Sequence, residues 1–286
     1  MNFMQKLLLN IFFVFALAMP AAAQSPDIIK DKVWNRWTSQ SFTIHTIANE
    51  QGEYLEGNLE GVKKWVLTRW GLTNIGFDVD VKLWCVKDRE LFKALYPSLK
   101  GSSKVEVRKK DGKVEVIEAF LLLDDVPSRV LPKPMTEICM ALFEEKNNVK
   151  FGWWAYRGMI LLNGSEVQIR TRLKELSKIE EESILSSKQM LTVTKEDYAK
   201  LTSQDKMLFD SEAMVACLLL RKEFGQNRML HFLKEADPEK GLQTIYGFKN
   251  YDHFDSSLHP YLRDLVRDVS EGKTPSHYLL IQKAGG

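Results

Sequence analysis

The stretch KVEVRKKDGKVEVIEAFLLL, Lys104 to Leu123, constrains the fold of this chain more than any other. Valines alternate with charged residues on both sides of Asp111-Gly112, which is the period-two pattern of strands with one buried face. An Asp-Gly pair accepts the positive φ that a two-residue hairpin turn demands at both central positions. The stretch therefore predicts two antiparallel strands. The second of them, Val114 to Leu123, is long and apolar and lies directly upstream of a helical pattern.

Around that hairpin the apolar spacing divides the chain in two. SFTIHTI (Ser41 to Ile47) and FDVDVKLWCV (Phe77 to Val86) read as strands. EYLEGNLEGVKKWVLTRW (Glu53 to Trp70) carries Leu55, Leu59, Val62, Val66 and Trp70 at helical spacing, and DRELFKALYP predicts a short helix stopped by Pro97. From Leu131 onward the patterns are helical: 131–148, beginning at or just after Pro134; 153–178, with a break at Asn163-Gly164; 211–225, closed by Gly225; then NRMLHFLKEA and YDHFDSSLHPYLRDLV. The expected class is α+β, an N-terminal mixed sheet with helices over about 41–130 and a mainly helical half over about 131–270, both sharing one core.

The first 23 residues read as an export signal. Lys6 supplies the positive start, Leu7 to Met19 an apolar run, and Ala21-Ala22-Ala23 a small-residue cleavage site. The run is short for a membrane span, so the mature chain is expected outside the cytoplasm, periplasmic or extracellular, without a membrane span. Loss of Lys6 takes the 40 basic residues to 39 against 38 acidic ones. A nucleic-acid-binding face normally brings a clear basic excess, so nucleic acid is not an expected partner. Cys85, Cys139 and Cys217 are odd in number and each sits in apolar company, which favours three buried thiols, with one disulfide plus one free thiol as the alternative.

The one chemical motif lies in the first helix of the second half. Thr136-Glu137-Ile138-Cys139-Met140 has the outline of a zinc-hydrolase HExxH helix, in which two imidazoles one turn apart hold the ion and the glutamate activates its water. Glu137 stands at the general-base position. Both histidine places hold other residues, and neither a threonine nor a thioether replaces imidazole on zinc. Downstream, WAYRG (Trp154 to Gly158) follows at the distance of a second element, with Arg157 17 residues after Met140.

On these residues, on SFTIHTI with its helix, and on the helical tail beginning FDSEAMVACLLLRKEFG, the chain from about Ser41 to Leu265 resembles the peptidase MA-like family, zincins of the gluzincin type. The resemblance implies a zincin-like single domain over 24–286. It implies zinc as cofactor, with Thr136, Met140 and Arg157 standing where the three metal ligands should be. All three depart from the pattern, so no metal and no cofactor is expected, and Arg157 brings a permanent positive charge to the third place. A salt bridge from Arg157 to Glu137 would fill the old site. The reading is a pseudo-metallopeptidase whose surviving cleft, with Trp153, Trp154, Tyr156 and Gly158, binds a peptide or protein partner without cutting it. The strand Val114 to Leu123 would hold that partner by strand addition. Two alternatives stay open: an active metallopeptidase with non-standard ligands such as Glu137, Cys139 or displaced histidines, and a structural component of the cell envelope.

Other chemistry finds little support. GxSxG, GxGxxG and GxxxxGK[ST] are absent. His253 and His259, with Asp252 and Asp255, are six apart, a poor spacing for a shared face, and read as a solvated helix end beside Pro260. His231 reads as a core-edge residue, Ser102-Ser103 and Ser186-Ser187 as loop serines, and KIEEES (Lys178 to Ser183) as a solvated charge run.

Overall fold

The computed structural model describes residues 33–97, 101–123, 130–164, 166–178 and 184–273. The signal-peptide expectation, His277 and most of the 178–183 charge run lie outside them. The described elements are β1 (Asn35–Thr38), β2 (Thr43–Thr46), α1 (Asn49–Trp70), β3 (Asp80–Val86), α2 (Arg89–Leu95), β4 (Ser103–Lys110) and β5 (Lys113–Leu122). The helical half follows with α3 (Pro132–Asn147), α4 (Trp153–Leu162), α5 (Glu166–Leu176), α6 (Ser187–Thr192), α7 (Lys195–Lys200) and α8 (Ser203–Phe224). It closes with α9 (Gln226–Leu233), α10 (Pro238–Gly241), a π-turn over Leu242–Tyr246, and α11 (Tyr251–Ser270). The fold is α+β, with a mixed N-terminal sheet and a mostly helical remainder.

The five strands lie in the order β1-β2-β3-β5-β4. β2, β3 and β5 run parallel, joined through α1 and α2, while β1 and β4 pair antiparallel at the two edges. The hairpin is as the sequence predicts: Lys110 faces Lys113, and Asp111 and Gly112 have φ of 51° and 80°, the left-handed turn their side chains permit. A register shift at Arg108/Lys109 twists the free edge of β4.

That order corrects the expected docking strand. β5, which contains the Val114 to Leu123 run, is hydrogen-bonded to β3 on one side and β4 on the other, so its backbone has no free edge. It is apolar because it is central. The edge belongs to β4, whose Lys104, Arg108, Lys109 and Lys110 place charge along it, a pattern that discourages strand addition.

One face of the sheet is covered by α1 and α3, the other in part by α2 through Phe92, Leu95, Tyr96 and Phe120. A single apolar cluster runs from Leu83 and Ile117 in the sheet through Met140 and Met159 to Phe209 and Phe254, so the two halves share one core. Cys85, Cys139 and Cys217 are all free and buried in it. The break expected at Asn163-Gly164 is present between α4 and α5, while α8 begins eight residues before the expected Ser211 because Thr202 caps it, its hydroxyl accepting from the Asp205 N–H. α11 carries Pro260 in its interior, so His259 is not at a helix end. His231 is exposed rather than at the core edge.

Candidate functional site

α3 is the helix that bears the motif. Proline opens it, Asn148 closes it in the left-handed conformation, and it lies between the sheet and α4. Residues four apart share a helical face, and here the face shared by Thr136 and Met140 is the core face: both are 0 % exposed. The Thr136 hydroxyl donates to the Pro132 carbonyl oxygen at 2.7 Å and accepts from the Asn163 side-chain amide. Asn163 in turn accepts from the Trp70 indole N–H at 3.3 Å, and Arg69 donates to the Leu162 carbonyl at 2.5 Å. A buried polar chain thus ties the end of α1, the start of α3 and the end of α4 together. Thr136 is a structural residue in it.

Glu137, one step around the helix, leaves the core and faces α4. Its carboxylate is hydrogen-bonded by the Tyr156 hydroxyl, with Lys133, Arg157 and Lys195 contributing positive field. Burial works against the charge and wins, holding the carboxyl above its usual range. The same burial and the Glu137 carboxylate push the Tyr156 phenol up as well.

Arg157 does not pair with Glu137, contrary to the expected salt bridge. It reaches across to α8 and grips Asp210 with two parallel bonds, Nε to Oδ1 at 2.7 Å and Nη2 to Oδ2 at 2.5 Å. Arg172 of α5 approaches the same carboxylate at 3.8 Å. Arg157 also lies over the Tyr198 ring at 5.1 Å. Tyr156 and Arg157 are adjacent on α4, Tyr156 turning to Glu137 of α3 and Arg157 to Asp210 of α8, where two parallel bonds hold the guanidinium.

Gly158 has a packing role. A Cβ there would sit 2.4 Å from the Ala213 carbonyl oxygen and 2.6 Å from Cys217 Sγ, so only glycine lets α4 and α8 cross so closely. Trp153 stacks on Tyr156 at 5.0 Å and meets Tyr198 edge-on at 5.6 Å, while Trp154 is buried against Phe232.

The expected single cleft is two separate hollows. A groove of about 490 Å³ is lined by Trp153 and Trp154 together with Phe151, Val193, Lys195 and Phe232. A larger one of about 900 Å³ opens between the C-terminal end of β5, the loop ahead of β4, and the helices α3, α4 and α5; Arg157 lines it. Tyr156 and Gly158 line neither.

The residues at the three places where the zincin resemblance expects metal ligands do not fit a zinc ion. The Thr136 oxygen is committed to two hydrogen bonds, Met140 is a core side chain, and Arg157 is a cation. Among the described residues no three His, Cys, Asp or Glu side chains converge on a point, and the buried thiols Cys85, Cys139 and Cys217 all have pKa values raised by desolvation. No helix among these residues is long and apolar enough to cross a membrane.

Sequence reasoning missed a second polar cluster. Glu212 is 1 % exposed on α8 and accepts from the Leu185 N–H at 3.0 Å. Nearby, Asp255 of α11 accepts from both the N–H and the hydroxyl of Ser187, and His259 Nε2 lies 3.6 Å from it. Ser187, expected as a bland loop serine, is fully buried, and Ser186 caps α6. The helix signal was present: Ser186 with Gln189 three residues on is a capping box.

No protein-family model matches this chain, and no curated protein matches it.

Proposed function

We propose that this chain is an exported, non-hydrolytic binding protein, a zincin-like body whose metal place is taken by protein side chains and whose larger cleft receives a peptide or protein partner. The observation that carries the reading is that Arg157 is held by Asp210 and forms part of the wall of a cleft of about 900 Å³; the family resemblance is what gives it the third ligand place. A guanidinium fixed there opposes a dication by direct repulsion and offers a ready hydrogen-bonding group to a ligand. Further support comes from Glu137, whose carboxylate is engaged by Tyr156. In the zinc-hydrolase mechanism the general base acts on a metal-held water, and Thr136 and Met140 beside Glu137 supply no ligand to hold one. The cleft also has the size of a ligand site and lies beyond the carboxyl ends of parallel strands, where open sheets commonly bind ligands.

The test is a peptide-display selection on the mature protein, with selected peptides incubated with and without added zinc and then weighed by mass spectrometry. Thr171, an exposed residue of α5 on the cleft wall, is the control position. The expected result is binding that Thr171→Trp blocks, with the peptides intact under both conditions. Stoichiometric zinc uptake with peptide cleavage would overturn the proposal, as would binders indifferent to Thr171→Trp.

A further inference from the structure

The larger cleft has a charge pattern that its apolar floor does not explain. Four cations line it, each from a different helix: Arg89 at the start of α2, Lys133 in the first turn of α3, Arg157 of α4 and Arg172 of α5. None of the described lining residues is aspartate or glutamate. Two carboxylates stand behind this wall, Asp210 against Arg157 and Arg172, and Glu137 near Lys133. Counting the described lining residues and these two carboxylates, both ionised, two positive charges remain in excess. Between the cations, Leu122, Val130, Ile160 and Val167 supply apolar surface, and Val167 is 72 % exposed.

A fixed cationic wall of this kind raises the local concentration of anions and selects against positively charged partners. The grip of Asp210 on Arg157, two parallel bonds to one planar carboxylate, fixes that guanidinium in the wall and leaves Arg89 and Lys133 as the cations with no bond to Asp210. A compact anion would engage one or two such groups. Four of them carried on four helices around about 900 Å³, with apolar surface between, match a ligand that spreads several carboxylates along a chain.

We propose that this cleft binds an acidic peptide segment, with Arg89 and Lys133 receiving its carboxylates, Arg157 and Arg172 adding positive field from their anchorage on Asp210, and the apolar floor receiving its intervening side chains. The inference rests on the partner-binding reading above and narrows it to one chemistry.

The experiment compares fluorescein-labelled oligoglutamate and oligoglutamine peptides of equal length by anisotropy on the mature protein. Oligoglutamate is expected to bind and oligoglutamine not, with binding weakening as salt rises toward ~0.15 M. Arg89→Gln/Lys133→Gln, which removes the two cations not engaged with Asp210, is expected to weaken oligoglutamate by about tenfold while leaving the circular dichroism and melting curve unchanged. Thr171→Trp is expected to block it. Equal binding of the two peptides overturns the proposal, as does oligoglutamate binding that the double variant leaves unchanged. Complete displacement of oligoglutamate by an equimolar amount of inorganic phosphate overturns it in favour of a compact anion. Display-selected peptides that are neutral yet blocked by Thr171→Trp would remove this inference and leave partner binding standing. No peptide sensitive to Thr171→Trp would remove both.

Discussion

Two carboxylic acids on α8, Asp210 and Glu212, are two residues apart and equally hidden, at 4 % and 1 % exposed, yet they sit in opposite electrostatic surroundings. Two residues turn a helix by about 200°, so they point to opposite sides. Asp210 meets the forked guanidinium of Arg157 and the edge of Arg172. Glu212 meets one backbone N–H and the neighbouring charge of Asp255, and desolvation pushes its carboxyl up to about 8. Burial alone does not decide whether an acid is charged; the partner on the facing helix does. The cleft side of α8 therefore carries an acid held in an ion pair, and the other side an acid whose carboxyl is pushed up by burial.

The sharpest way to break this contrast is to remove the charge partner. Arg157→Gln removes the bidentate partner and leaves Asp210 buried with Arg172 at 3.8 Å as its remaining cation, and the expected loss is about 3 kcal/mol of stability in urea unfolding. A loss under about 1 kcal/mol would mean that the pair is solvated and the comparison fails.

The opposite sign is expected at the second acid. Folded Glu212 holds a proton that the unfolded chain releases above its ordinary value of 4.5, so stability falls as pH rises from there through about 8. Glu212→Gln keeps the acceptor for the Leu185 N–H and removes the titration. At pH near 8 it is expected to gain on the order of 3 kcal/mol, with little change at acid pH, as read from thermal melts across that range. Equal pH profiles for the two proteins would show that Glu212 is charged in the fold.

Both acids depend on how closely α8 lies against its neighbours, and Gly158 sets that distance for α4. Gly158→Ala is expected to cost about 2 kcal/mol, since backbone must move to admit the methyl group, and to loosen the Arg157–Asp210 grip with it. The smallest effect belongs to the motif itself. Thr136→Val preserves shape and strands the Asn163 amide, for an expected loss of about 1 kcal/mol, without altering metal content measured by mass spectrometry. A change in bound zinc on that substitution would show that Thr136 is more than a structural link.

Much of the architecture was legible because local chemistry and tertiary structure agree. The Asp111-Gly112 turn, the strand before α1, the helix over 132–147 and the break after Leu162 all follow from periodicity and turn residues. Some short elements did not show in the apolar pattern. β1 is four residues long, α6, α7 and α10 are one turn or two, and such short pieces carry too few apolar positions to show a period, although the capping box of α6 marked its start. The site was legible as a set of residues and misleading as an arrangement. Thr136, Glu137, Met140 and Arg157 stood out by their spacing, but that spacing could not tell that the Thr136–Met140 face is turned into the core. Nor did it show that Arg157 has a better partner 53 residues away.

What the sequence determined by itself was the order and kind of the longer elements, the buried state of three thiols, and the absence of imidazole at the two places where a zinc helix needs it. Those are properties of neighbours along the chain, set by side-chain period, turn conformation and ligand chemistry. Tertiary structure alone decided that β5 is central and β4 the edge, that Arg157 grips Asp210, that Glu212 holds a proton, and that the aromatic groove and the cationic cleft are separate. Each of these depends on which distant group lies opposite, and a pairing between helices or strands far apart in sequence leaves no local trace until the chain has packed.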